Sequence, residues 1–145
     1  MITAYQTVCY SCTVVELFTD ASVRYSSDEA SIAFVARNNG EELFSSAHSI
    51  DATEPVIAEF KAIVQALQTV RDRLGNVSVT VYTDCHSIVS MVNGIGTPSR
   101  DDLHGFVWWI NRFEDVSVEY IRREDNRTAH RLARQVTANQ YESDM

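Results

Sequence analysis

Three carboxylates in this chain stand where an acid is costly. Asp20 closes an apolar run, residues 13–18, in which Val14, Val15, Leu17 and Phe18 favour a strand buried on both faces. Asp84 closes a second run, residues 77–83, in the same manner, so Val-Tyr-Thr-Asp-Cys repeats the arrangement of Leu-Phe-Thr-Asp-Ala. Glu59 lies one position before Phe60, at the margin of a helical apolar stripe. A desolvated carboxylate shifts its pKa or destabilises the fold unless a cation compensates it. Each acid alone has a plain explanation; Asp20, for one, suits the start of a turn. Brought together, the three would repel one another, and a divalent cation removes that penalty. Carboxylates sharing two Mg²⁺ or Mn²⁺ ions can activate a water and stabilise the leaving oxygen in phosphodiester cleavage.

The elements decide whether the acids meet. Residues 13–18 read as the first strand and 23–29 as a polar turn. A second strand over 30–37 and a third over 41–50 flank Asn38-Asn39-Gly40, a hairpin signal, giving an antiparallel meander. Asp51 to Pro55 signals a helix start, with Thr53 as the cap candidate and proline in the first turn. The helix spans about 56–74 and buries Phe60, Ile63, Val64, Leu67 and Val70. Such a crossover favours strand four, 77–83, lying parallel to strand one. Asp20 and Asp84 then emerge at one edge, beyond the carboxyl ends of parallel strands, where α/β sheets bind ligands.

A helix over 85–92 stops at Asn93-Gly94, and 94–100 is a loop. Residues 101–113 read as a helix whose Trp108, Trp109 and Phe113 are expected to pack the core. A fifth strand covers 116–121, a charged loop 122–127, and a last helix starts at Thr128. Ala129, Leu132, Ala133 and Val136 form its packed stripe, with His130 in its first turn. Residues 1–12 are expected to be an arm or strand extension, 13–140 one domain, and 141–145 a frayed tail.

The chain has 145 residues, 45% of them apolar, which suits one globular domain. No apolar run is long enough for a membrane span, and no secretory signal is read at the N-terminus. Three cysteines make no disulfide framework, so a cytoplasmic location is expected; Cys9-x-x-Cys12 lacks the second pair a zinc site needs. A net charge of −8 argues against a generic basic nucleic-acid binder. One lysine against eleven arginines and twenty acids resembles proteins of salt-loving microbes. Arginines concentrate towards the C-terminus, leaving room for a local cationic face.

At four places the chain resembles the type 1 ribonuclease H family: Thr19-Asp20-Ala21-Ser22, Ala58-Glu59-Phe60-Lys61-Ala62, Tyr82-Thr83-Asp84-Cys85, and Asn126-Arg127-Thr128-Ala129-His130-Arg131-Leu132-Ala133. The resemblance covers 14–136. It implies an α/β ribonuclease H-like fold: a mixed five-stranded sheet, three antiparallel strands then parallel ones, flanked by helices. It also implies hydrolysis of the RNA strand of RNA–DNA hybrids by two Mg²⁺ or Mn²⁺ ions, leaving 3′-hydroxyl and 5′-phosphate ends. Asp20 would bridge the ions, with Glu59, Asp84 and His130 as further ligands and catalytic groups. Ser22, Cys85, His86, Asn126, Arg123 and Arg127 would contact the substrate. No membrane partner is implied, and a monomer is the default.

The departures are specific. The family's fourth acid falls on His130, which suits Mn²⁺ better than Mg²⁺; Asp125 stands nearby but out of register. Pro55 and Val56 occupy a stretch that commonly carries an asparagine, and loop 94–100 is too short for the family's basic handle. Two other readings stay open on the residues. One is a catalytically weakened module of this fold that binds nucleic acid or protein; the other is a metal-dependent DNA nuclease.

Overall fold

A computed structural model describes residues 14–24, 29–51, 54–93 and 101–143, with side chains except those of 101–104 and 137–143. Among the described residues five strands form one sheet in the order β3-β2-β1-β4-β5. β1 (Val14–Arg24), β2 (Glu29–Asn38) and β3 (Glu41–Asp51) are the antiparallel meander, and β4 (Ser78–Thr83) and β5 (Asp115–Tyr120) run parallel to β1. The described helices that connect and cover them are α1 (Pro55–Leu74), α2 (His86–Val92), α3 (Asp101–Ile110) and α4 (Arg127–Ser143). Among the described residues no helix is long and apolar enough to cross a membrane.

The β2–β3 turn is Asn39-Gly40, with φ of 53° and 80°. Both values lie in the left-handed region that a tight hairpin demands and that asparagine and glycine tolerate. α1 begins at Pro55 behind Glu54, which occupies the cap position with no side-chain hydrogen bond to the helix's first turn. The expected cap, Thr53, lies outside the described residues, as do Cys9, Cys12 and loop 94–100.

Alternation along the strands separates two faces. Val15 and Leu17 of β1, Phe34 of β2, and Val79 and Val81 of β4 share one core with Phe60, Ile63, Leu67 and Val70 of α1. Burial of each such side chain contributes about 1.5–3 kcal/mol. On the other face Asp20 stands opposite Ala33 and Phe18 opposite Val35, beneath α4, which contributes Ala129 and Ala133. Small residues on both sides let this helix approach β1 closely.

Some sequence expectations need correction. β1 does not end at Phe18: its pairing with β2 continues to Arg24 opposite Glu29, so Asp20 sits inside a strand. What ends at Phe18, opposite Tyr82, is the pairing with β4. The expected turn over 23–29 shrinks to 25–28, because Val23 and Arg24 still have ladder partners. α3 stops at Ile110, and Trp108 is 50% exposed rather than packed. Neighbouring helical residues point about 100° apart, so Trp109 reaches the core and Trp108 lies under the Arg112 guanidinium, 3.3 Å from its ring centroid. The charged loop contains a 3₁₀ turn, Arg123–Asp125, and α4 continues to Ser143, past the start of the expected tail.

Candidate active site

The site forms where β1 and β4 part. Past Phe18, the side of β1 facing β4 has lost its ladder partner, so its backbone groups must be satisfied otherwise. The Thr19 carbonyl accepts a hydrogen bond from Asn126 Nδ2 at 2.9 Å. The Ala21 N–H donates to Glu59 Oε1 at 3.0 Å. Groups left free by the splaying strands are thus bound by the side chains that build the site.

Asp20, Glu59 and Asp84 converge there. A ligand oxygen from each lies within 4.8 Å of the others. Oxygens that share one ion at about 2.1 Å lie no more than roughly 4.2 Å apart, so Asp20, Glu59 and Asp84 would hold a common cation after small side-chain adjustments. Asp20 is 3% exposed and Glu59 6%, while Asp84 is half-buried at the mouth. Burial raises the Asp20 carboxyl above its usual pKa, and the Asp84 charge adds to this. Glu59 is raised well above the ordinary range, first by burial and then by the charges of Asp20 and Asp84. A divalent cation among the three carboxylates would offset both the burial and the mutual repulsion. Three hard oxygen donors suit Mg²⁺ or Mn²⁺, so the residues fit the cation that the sequence implies.

The supports are specific. The Thr83 hydroxyl donates to Glu59 Oε2 at 3.5 Å and accepts from the Cys85 N–H at 3.1 Å. Asn126 Nδ2 also donates to Asp84 Oδ2 at 3.3 Å. The amide orientation is determined, because the flipped form would set its oxygen against two acceptors. His130 Nδ1 lies 2.8 Å from Asp20 Oδ2. Its ring rises from the first turn of α4, whose start is set by the bond from the His130 N–H to the Asn126 carbonyl, 3.1 Å.

The other expected residues divide. Cys85 and Arg123 line the acidic cleft, of about 300 Å³, with Pro55 and His130. Burial pushes the Cys85 thiol up, leaving it protonated at neutral pH. Arg123 is exposed and makes no ion pair among the described residues. Ser22 is half-buried on β1, opposite Ser31 and on the same face as Asp20. Arg127 lines a neighbouring cleft instead, with Phe18, Arg37 and Thr128. His86 is exposed at the start of α2 and stacks on Tyr120, centroids 3.8 Å apart. Asn126 was expected to touch substrate; it is 1% exposed, and its amide nitrogen donates to the Thr19 carbonyl and to Asp84. Asp125 is not among the clustered acids; its carboxylate pairs with Arg122 at 3.3 Å. Sequence reasoning passed over Thr83 and the Ala21 backbone. The one signal for Thr83 was the repeated Thr-Asp at 19–20 and 83–84.

A family model described as reverse transcriptase-like matches residues 18–136. The chain belongs to this reverse transcriptase-like family. Solved structures share its fold. The N-terminal RNase H domain of Rv2228c from Mycobacterium tuberculosis, fused to maltose-binding protein, superposes with a TM-score of 0.81 at 21% identity, covering 92% of this chain and 99% of that one. RNase H1 from the halophilic archaeon Halobacterium salinarum gives 0.79 at 20% identity, over 87% of this chain and 98% of that one. LC11-RNase H1, solved in complex with an RNA/DNA hybrid, gives 0.78 at 22% identity, over 88% and 99%. No curated protein matches. At these identities the structures establish an RNase H-like fold.

Proposed function

We propose that this chain is a divalent-metal-dependent endoribonuclease that hydrolyses the RNA strand of RNA–DNA hybrids. The observation that carries the reading is the convergence of Asp20, Glu59 and Asp84, from β1, α1 and the end of β4, within reach of one cation. The hybrid bound to LC11-RNase H1, a neighbour in fold, supports the choice of substrate.

A bound Mg²⁺ or Mn²⁺ supplies Lewis acidity and lowers the pKa of a coordinated water. The protein's own part is to hold the acids and receive the strand. Asp20, Glu59 and Asp84 hold the ion, with Thr83 and the Ala21 N–H orienting Glu59 and Asn126 orienting Asp84. The Arg123 guanidinium, at the rim of the cleft, meets a backbone phosphate. Water oxygen bonds to phosphorus, the bond from phosphorus to the 3′ oxygen breaks, and that oxygen takes a proton. The products carry 3′-hydroxyl and 5′-phosphate ends.

The test is cleavage of a labelled RNA–DNA duplex in Mn²⁺ and in Mg²⁺, beside an all-DNA duplex. Losing an outer partner of a metal ligand already costs 10–100-fold, so Asp20→Asn is expected to lower the rate by more than about 100-fold. An unchanged rate in that variant overturns the enzyme reading. Cleavage of all-DNA duplex in preference to the hybrid would make the chain a DNA nuclease. One observation favours a weakened binding module instead: His130 stands where the resemblance places an acid. Hybrid binding with no cleavage in either metal would decide for that reading.

A further inference from the structure

We propose that the cleft beside the start of α4, separate from the acidic one, binds the sugar–phosphate unit of a nucleotide. The proposal rests neither on the metal site nor on the nuclease reading.

This cleft, of about 220 Å³, lies between Phe18 of β1, Arg37 of β2 and residues 124–129. Groups in its wall lack counterparts. The Arg37 guanidinium is half-buried and makes no ion pair among the described residues. Neutral groups hold it in place. It donates to the Thr128 hydroxyl at 3.2 Å and lies 5.2 Å from the centroid of the Phe18 ring, which itself stacks on Tyr82 at 5.0 Å. One such hydrogen bond leaves most of the guanidinium's N–H donors available. Arg127, exposed at the first position of α4, lines the same cleft and also has no ion pair among the described residues. Asn126 is 1% exposed, and its Oδ1 is buried with no hydrogen-bond partner among the described residues. A buried acceptor without a donor is destabilising. With Nδ2 turned to Thr19 and Asp84, the Oδ1 branch of the amide is the one left for this cleft, which Asn126 lines.

These needs select the ligand. A phosphate suits two guanidinium groups, which bind it in a planar fork. The first turn of α4 adds the N–H groups of Thr128 and Ala129, which have no acceptor within the helix. A phosphate diester carries no proton for Asn126 Oδ1, whereas a sugar hydroxyl does. The volume is below the roughly 300–1,000 Å³ of a drug-sized site, which suits a sugar and its phosphate with the base outside. Glu124 and Asp125 also border the cleft, but Arg122 engages both carboxylates, at 3.8 and 3.3 Å. A free mononucleotide and a nucleic-acid strand both carry the unit that fits.

The test is titration of the ¹⁵N-labelled chain in chelator, read by NMR, with adenosine 5′-monophosphate, inorganic phosphate, adenosine and a short single-stranded oligoribonucleotide. The monophosphate is expected to shift the Arg37 Nε–H and the Thr128 and Ala129 amides, and to bind about 10-fold more tightly than phosphate or adenosine. Arg37→Met and Arg127→Met should each weaken it about 10-fold, and Arg37→Met should leave Mn²⁺ binding at the acids unchanged. Should Arg37→Met fail to fold by circular dichroism, the exposed Arg127→Met carries the comparison. Tighter binding of the oligoribonucleotide per nucleotide assigns the cleft to a strand, and weaker binding to a free nucleotide. Inorganic phosphate binding as well as the monophosphate would overturn the proposal, as would wild-type affinity in both variants or no shift at these amides. None of these outcomes bears on cleavage, so the nuclease reading stands or falls separately.

Discussion

Asn126 holds Asp84 and the Thr19 carbonyl with a single amide nitrogen, at 3.3 and 2.9 Å. It closes the gap between two strands that have stopped pairing, and it sets the direction of a site carboxylate. Asn126→Ala would leave the buried Thr19 carbonyl without a donor, costing about 1–3 kcal/mol. Asn126→Asp is expected to cost more, because it sets a charge with no donor against Asp84. Urea denaturation in chelator measures the stability term, and Mn²⁺ titration measures the ligand term, expected at about 10-fold weaker binding. Normal stability and normal Mn²⁺ affinity in both variants would remove Asn126 from the site.

Glu59 predicts an inverted pH dependence for the cation-free protein. Its carboxyl is raised well above the ordinary 4.5, by burial first and by Asp20 and Asp84 next. A group raised in the folded state stabilises the fold fully below its unfolded pKa and loses that contribution as pH rises through the folded value. Cation-free protein should therefore lose stability as pH climbs out of the carboxylate range. Glu59→Gln removes the ionisation and keeps an oxygen for the Ala21 N–H, so its melting temperature should fall less over that range. The scale is about 3 °C for each kcal/mol in a chain of this size. Added Mn²⁺ should raise the melting temperature of the wild type at high pH and that of the variant far less. Superimposable pH profiles would contradict the prediction.

Much of this was legible in the residues, for physical reasons that differ by element. The meander and α1 were readable because apolar spacing and Asn39-Gly40 act locally. The convergence of Asp20 and Asp84 followed from one crossover rule, which fixed the direction of β4. The extent of β1 was not readable: Ala21 and Ser22 look like turn residues until a partner strand carries them to Arg24. The inward bonds of Asn126 were not readable either. It is flanked by charged residues that face solvent, and only the parted strands create the buried donor vacancy it fills. Trp108 was misjudged because two adjacent tryptophans on one helix cannot both face inward.

Arg123 should act on substrate grip and not on the chemistry of the acids. It lies at the rim of the cleft, exposed and with no ion pair among the described residues. Arg123→Ala is expected to leave the fold and Mn²⁺ binding intact and to raise KM for the hybrid several-fold. A lost phosphate contact also lowers the salt dependence of binding, by roughly 0.9 in the slope of log K against log salt. Hybrid binding in Ca²⁺ across a salt series reads this directly. A parallel salt series for wild type and variant would show that Arg123 meets no phosphate.

His130→Asp tests what an acid would do in place of the imidazole. A carboxylate at this position cannot donate to Asp20, so Asp20 Oδ2 is released and a new hard oxygen is offered. Both changes favour Mg²⁺, which takes oxygen ligands in strict geometry, over Mn²⁺, which tolerates nitrogen. The fourth negative charge also adds to repulsion among Asp20, Glu59 and Asp84, so the cation-free variant should be less stable than the wild type. With metal present the fold should be retained, and Mg²⁺-supported cleavage of the labelled hybrid should rise by about 10-fold relative to the Mn²⁺ rate. A fall in both rates with the fold intact would mean that the imidazole contributes more to the reaction than the orientation of Asp20.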